Sequence, residues 1–170
     1  LQQVISSFQI AKDAGYKIVA HMMPGLPTMS PKEDIADFKK LFEMEEFKPD
    51  MLKIYPALVL KDTPLYDDYK LGNYKPYSTE EMINVLTESK KIIPKWVRIM
   101  RVQREITTDE IVDGPKMGNL RQKVQQELEK QGTSCKCIRC REAGLNNKKE
   151  FTELKLERIY ARVMSPNISS

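Results

Sequence analysis

Two capping boxes set the frame of this chain. Ser30-Pro31-Lys32-Glu33 and Ser78-Thr79-Glu80-Glu81 each place a serine three residues ahead of a glutamate. In that arrangement side chain and backbone satisfy each other's spare donors at a helix start. Pro31 suits the first helical position, where its missing N–H is no loss. Behind the first box Ile35, Phe38, Leu41 and Phe42 form one apolar face, up to about Glu46. Behind the second stand Met82, Val85, Leu86 and Ile92. A further helical stretch precedes both, from Val4 to a stop at Gly15. Three short β-prone runs lie between and after these helices, at residues 16–21, 51–55 and 96–103. The first reads as a buried strand. Helix and strand thus alternate three times, with a period of roughly 30 to 40 residues, which predicts an α/β fold with parallel strands and crossover helices. The alternation fits an open doubly wound sheet and a barrel equally well.

The rest of the chain has a different texture. Residues 56–76 read as a long loop and residues 106–119 as an irregular segment with Gly114-Pro115 and Gly118-Asn119. Residues 120–131 form a helix of mixed charge, stopped by Gly132. Asn146-Asn147-Lys148-Lys149 reads as a linker, and the weak alternation over 154–161 as the start of another strand. The texture divides the chain into an α/β part over 1–113, a basic helical linker over 114–149, and the short stretch 150–170 beyond it.

The longest apolar runs, such as residues 55–60, are far too short to span a bilayer. The first residues carry neither a basic start nor a small-residue cleavage site. A chain that opens at Leu1 inside an apparent helix is expected to be a fragment of something longer. The three cysteines, Cys135, Cys137 and Cys140, fall within six residues and cannot pair off evenly. That clustering points to a reducing, cytoplasmic setting and to a metal rather than a disulfide scaffold.

Charge is unevenly spread. Residues 33–50 hold seven acids and three bases, residues 95–104 four bases and no acid, and residues 114–149 nine bases and three acids. An acidic front and a basic back suit an anionic partner for the later half, although two ordinary solvated faces would look the same.

Ligands of α/β folds gather at the ends of parallel strands. His21 closes the first strand there, and Lys53 and Tyr55 share one face of the second. In the third, strict alternation puts Arg98 and Arg104 on one face and Arg101 on the other. Three arginines in one packed strand need anionic partners, from neighbouring helices or from a ligand. Lys53 inside an apolar strand raises the same question. The loop Gly25-Leu26-Pro27 lacks the glycine spacing of a phosphate-binding loop. One histidine and no nucleophile elbow leave no Ser-His-Asp set.

Cys135-Lys136-Cys137-Ile138-Arg139-Cys140 gives three thiolates that can converge on one tetrahedral metal, zinc being the common choice. The fourth ligand is open: His21, a carboxylate such as Glu142, water or a residue from elsewhere. Lys136, Arg139 and Arg141 flank the cluster and would favour thiolate. Lys116, Arg121, Lys123, Arg139 and Arg141 form a basic set able to meet phosphates. The segment has no aromatics for base stacking, so it is not a sequence-reading single-strand binder.

Seven strings in order carry a resemblance. They are His21-Met22-Met23-Pro24-Gly25-Leu26-Pro27, Asp50-Met51-Leu52-Lys53-Ile54-Tyr55-Pro56, Thr63-Pro64-Leu65-Tyr66 and Pro94-Lys95-Trp96-Val97-Arg98. They continue with Arg101-Val102-Gln103-Arg104-Glu105-Ile106, Gly118-Asn119-Leu120-Arg121 and Ile138-Arg139-Cys140-Arg141-Glu142. From Leu1 to about Leu145 the chain resembles the catalytic subunit of Elongator (Elongator protein 3) in its archaeal or bacterial form. The resemblance implies a radical S-adenosylmethionine domain joined to an acetyltransferase domain, in an enzyme that modifies carbon 5 of the wobble uridine of tRNA. It implies the last strands of a partial (β/α) barrel over 1–113, followed by a helical, zinc-bearing linker and, beyond, the entry to the acetyltransferase.

The cofactors so implied are S-adenosylmethionine and a [4Fe-4S] cluster, with acetyl-CoA as substrate. The family's cluster cysteines, spaced C-x9-C-x2-C, have no counterpart here and are expected upstream, so this piece alone should be inactive. His21, Lys53, Tyr55, Arg98, Arg101 and Arg104 are then expected to line or support the cleft. The implied partners are tRNA and, further, Elongator-type subunits or a second copy of the chain; no membrane is implied. Eukaryotic members lack some of the cysteines, so the metal reads as local reinforcement. Two rivals remain: a non-catalytic tRNA-binding module with a zinc-stapled basic patch, and a radical S-adenosylmethionine enzyme of another kind.

Overall fold

The computed structural model describes residues 1–145. The expected linker at 146–149, the expected strand at 154–161 and the expected further domain lie outside the described residues. Helix α1 (Gln2–Asp13) leads to strand β1 (Val19–Met22), helix α2 (Pro31–Glu43) to strand β2 (Met51–Ile54). After β3 (Val59–Leu60), α3 (Pro64–Lys70) and α4 (Thr79–Ile92) comes β4 (Arg98–Val102). The chain continues through β5 (Ile111–Asp113) and α5 (Leu120–Lys130) to two short 3-10 turns, Ile138–Arg141 and Ala143–Leu145.

Both capping boxes form. The Ser30 and Ser78 hydroxyls accept from the backbone N–H of Glu33 and Glu81, and each glutamate accepts in return from its serine's backbone N–H. Such a cap is worth about 1 kcal/mol. The alternation read from the sequence gives a three-stranded parallel sheet in the order β1-β2-β4, with α2 and α4 in the crossovers.

The main buried cluster packs on one face of that sheet. Leu52 and Ile54 of β2 and Ile99 of β4 are wholly buried there. Phe38 and Phe42 of α2, Met82, Val85 and Leu86 of α4, and Leu120, Val124 and Leu128 of α5 cover them in one cluster. Each such side chain contributes about 1.5–3 kcal/mol through removal from water. Nothing among the described residues covers the opposite face to that depth.

The structure corrects four expectations. The first strand is not buried: Val19 and His21 are exposed, because among the described residues β1 is the sheet's edge and its outward side chains meet no helix. The segment read as one long loop contains β3 and α3. Thr63 caps α3 by accepting from the Tyr66 N–H, with Pro64 behind it at the first helical position. The irregular segment likewise contains β5, which pairs antiparallel with β3. Finally, Ile92 is 39% exposed, and Ile93 just past the helix is the buried residue, because the chain turns to extended geometry there. Among the described residues no helix is long and apolar enough to cross a membrane.

Candidate functional site

The uncovered sheet face carries a row of basic side chains. In parallel register His21 of β1 stands beside Lys53 of β2, and Lys53 stands beside Arg101 of β4. The row below it runs Val19, Met51, Arg98. Strict alternation predicts Arg98 and Arg104 together, with Arg101 opposed, and the structure overturns this. A bulge opposite Leu52 and Lys53 makes Met100 an extra residue, so Arg101 joins Arg98 on the open face and Val102 turns into the core. Arg104 falls beyond the strand. Gln103, at φ +91°, ends β4 and donates its N–H to the Ile54 carbonyl at 2.7 Å.

Among the described residues the side chains of Lys53, Arg101 and Arg104 make no hydrogen bond or ion pair, although Lys53 and Arg101 are held in the sheet by their backbones. The Arg98 side chain does pair, with Glu142 at 3.4 Å. Tyr55, just past β2, sets its ring edge-to-face with His21, centroids 5.5 Å apart.

Past the end of β4 the basic row opens into a cavity of about 340 Å³. Arg101, Arg104, Lys116 and Arg121 line it, with Glu105 as the one carboxylate. Residues expected in the cleft and residues expected to meet tRNA thus share one concavity. Lys123 is exposed on α5. Arg139 and Arg141 are engaged locally: Arg139 donates to Glu142 at 2.8 Å, and Arg141 donates to the carbonyls of Lys136 and Lys95, each at 2.8 Å.

The loop after β1 is held by a clasp that local sequence spacing does not reveal. The Gly25 N–H and the Tyr77 hydroxyl both donate to Asp34 Oδ2 at 2.8 Å, and the Tyr74 hydroxyl donates to the Gly25 carbonyl at 2.6 Å. Burial pushes the Asp34 carboxyl up, against the pull of those two hydrogen bonds. Burial and the adjacent Asp34 carboxylate push the Tyr77 hydroxyl up. Gly25 has φ +86°, and a Cβ there would lie 3.3 Å from Tyr77 Cδ2. Asp34 sits inside a capped, acidic helix start, where a carboxylate is ordinary; only the returning tyrosines, more than 40 residues on, give it a buried role.

The three cysteines converge as their spacing implies. Their sulfurs all lie within 4.8 Å of one another. Cys135 and Cys137 belong to the helix-side core with Leu120 and Leu128, and the backbone is fixed by Ile138 N–H donating to the Val97 carbonyl at 2.9 Å. Hydrogen bonds from Cys135 and Cys140 pull the Cys137 thiol well down, helped by the backbone of Cys140 and Ile99. The same sharing, with burial, pushes the Cys135 thiol up. Such a set is suited to hold negative charge jointly.

Neither His21 nor Glu142 joins the sulfurs: His21 is on the other side of the sheet, and Glu142 is taken by Arg98 and Arg139. Cations bearing on the sulfurs come from other elements. Arg121 of α5, which also lines the basic cavity, is drawn down by burial and back up by Cys140, Cys137 and Cys135. Lys90 of α4 acts on Cys140. Sequence spacing alone gives Lys90 no chemical role, although its place in the series Met82, Leu86, Lys90 puts it on the apolar stripe of α4.

Known proteins match this chain along most of its described length. The Radical_SAM C-terminal domain family matches residues 49–130. A tRNA uridine(34) acetyltransferase of Methanocaldococcus jannaschii is 49% identical over 144 residues, which is 85% of this chain and 27% of that protein. Elongator complex protein 3 of Saccharomyces cerevisiae is 41% identical over 145 residues, 85% of this chain and 26% of that protein. In three dimensions the archaeal Methanocaldococcus infernus Elp3 with an N-terminal deletion superposes with a TM-score of 0.79 at 47% identity, covering 82% of this chain and 33% of that one. The chain therefore spans about a quarter of the length of the curated relatives it matches.

Proposed function

From the homology of this chain to a stretch of the tRNA uridine(34) acetyltransferases and Elongator complex protein 3, we propose that it serves in an enzyme modifying the wobble uridine of tRNA at carbon 5. In this reading residues 1–113 are the later part of a radical S-adenosylmethionine partial barrel, and residues 114–149 are a metal-braced linker to an acetyltransferase domain.

The observation that carries the reading is the row His21, Lys53, Arg101 on the sheet face free of helices, running into the cavity of Arg104, Lys116 and Arg121. In (β/α) folds the helices cover one side of the sheet, and the chemistry sits where strand ends meet their loops. Lys53 and Arg101 on that face and Arg104 beyond it, unpaired with any described carboxylate, suit a polyanionic substrate. They attract phosphates at long range and fix the nucleotide's place once it arrives. His21, Tyr55 and Arg98 border the same surface, and the clasped 22–29 loop follows directly on β1.

S-adenosylmethionine and a [4Fe-4S] cluster supply radical chemistry when bound, with acetyl-CoA as the acyl source. The described cysteines do not fit the cluster: their spacing is C-x-C-x2-C and they belong to the core behind the sheet. They do fit a thiolate-loving metal, because three sulfurs, two of them buried, lie within one coordination shell's reach. We assign them zinc as a structural ion. It would brace the turn Ile138–Arg141 against β4, where the Arg98–Glu142 pair and the Arg141–Lys95 hydrogen bond already hold.

The test is binding of tRNA to the protein that carries this chain, with Arg101, Arg104 and Lys116 changed together to Gln. Each phosphate that is no longer neutralised lowers the salt slope of log affinity by about 0.7–0.9. The triple variant should therefore show a slope shallower by about two units, with its melting temperature unchanged. Equal affinity and equal slope would overturn the proposal.

A further inference from the structure

Lys90 is 1% exposed, and among the described residues its Nζ has no hydrogen-bond partner. Lysine is almost never buried this fully unless it is paired. Its side chain lines a cavity of about 500 Å³ together with Cys140, Arg121, Arg139, Gln125 and Glu129. The Glu129 carboxylate there is exposed and accepts from Gln125 at 3.0 Å. It makes no ion pair with Lys90. A buried cation left unanswered by every described carboxylate therefore faces a cavity shared with Cys140 of the cysteine trio.

The charges account for this arrangement. A divalent metal held by three thiolates carries a net charge of minus one. Such a centre in the core needs a compensating cation as much as Lys90 needs an anion. Arg121 reaches the same cavity but donates to the Ile99 carbonyl at 3.2 Å and is only half-buried. Lys90 is the fully buried cation.

We propose that Lys90 is the internal counter-cation of a tris-thiolate metal centre at Cys135, Cys137 and Cys140, and so sets how tightly that centre keeps its metal. The inference rests on the metal reading above and extends it to a residue on a different helix. Lys90 is a positioning residue here, acting through charge and not as a ligand.

The experiment uses the protein carrying this chain as wild type, Lys90→Met and Lys90→Arg, loaded with zinc and with cobalt. Zinc retention is read against a chromogenic chelator, cobalt coordination by the thiolate-to-metal charge-transfer band, and folding by melting temperature. Lys90→Met should hold zinc about tenfold more weakly, and Lys90→Arg should stay near wild type. Stripped of metal, Lys90→Met should melt no lower than wild type, because it has lost an uncompensated buried charge. If the Met variant does not fold, Lys90→Gln serves the same comparison.

Equal zinc retention in the neutral variant overturns the counter-cation while leaving the metal centre standing. A shifted cobalt band overturns it in favour of direct ligation by Lys90. A wild-type protein that binds neither ion removes the metal reading and this inference with it.

Discussion

Lys53 and Arg101 stand side by side in neighbouring parallel strands, both on the helix-free face, and among the described residues neither has an anionic partner. Like charges placed in register repel, by roughly 0.2–1 kcal/mol in strand pairs. Replacing Lys53 with Met should therefore leave the fold as stable or slightly more so by urea denaturation, while weakening tRNA binding. A clear loss of stability would mean that Lys53 has a structural partner and is not held ready for a ligand.

The Asp34 clasp makes a graded prediction. Gly25→Ala puts an L side chain at φ +86° and pushes a Cβ toward Tyr77, whereas Gly72→Ala meets no atom within 4 Å at φ +77°. The left-handed conformation costs about 1–2 kcal/mol at either site. Only the Gly25 variant adds a clash and loosens the loop after β1. In chemical denaturation it should lose more stability than Gly72→Ala. Tyr77→Phe, which removes one bond to a buried carboxylate, should cost about 1–3 kcal/mol.

Acid should loosen the join between β4 and the cysteine turn. The Glu142 carboxyl is held below the usual carboxylate range, first by the hydrogen bond from Arg139 and then by the charge of Arg98. A carboxyl depressed in the folded state contributes stability that is fully present above its unfolded value, about 4.3 for Glu. That contribution is lost as pH falls through the lower folded value. Below about pH 4.3 the wild type should therefore lose its stability advantage over Glu142→Gln. Melting curves of both proteins across that range read the difference directly.

Asp34 should show the opposite sign. Its carboxyl is pushed up by burial, so the folded state keeps its proton more tightly than the unfolded chain does. Stability from this group is then greatest at low pH and declines as pH rises through the raised folded value. Asp34→Asn should flatten that decline. An unchanged pH profile in the variant would count against the buried carboxyl as its source.

Removing metal should destabilise the linker and the core beneath it together, since Cys135 and Cys137 pack with Leu120, Val124 and Leu128. A ligand present at a hundred times its dissociation constant stabilises by about 2.7 kcal/mol. Chelation should lower the melting temperature, and Cys137→Ser should melt equally with and without zinc.

Much of the architecture was legible along the chain. Both capping boxes depend on residues three apart, and the apolar stripes of α2 and α4 on residues three or four apart, so local spacing determined those two helices and, Ile92 excepted, their buried faces. The parallel direction of the strands followed from strand and helix alternation. The cysteine trio followed from six consecutive residues.

Tertiary structure decided the rest. Which face Arg101 occupies depended on one extra residue in β4, an irregularity that exists only relative to β2 and has no signature in β4 itself. The exposure of β1 depended on its place at the sheet edge. The buried roles of Asp34 and Lys90 depended on partners tens of residues away: Tyr77 for the first, and for the second a cavity closed by α5 and Cys140. Side-chain periodicity reports which way a residue points within its own element. What it meets there is set when elements far apart in sequence come together, and for charged residues that meeting separates a solvated face from a site.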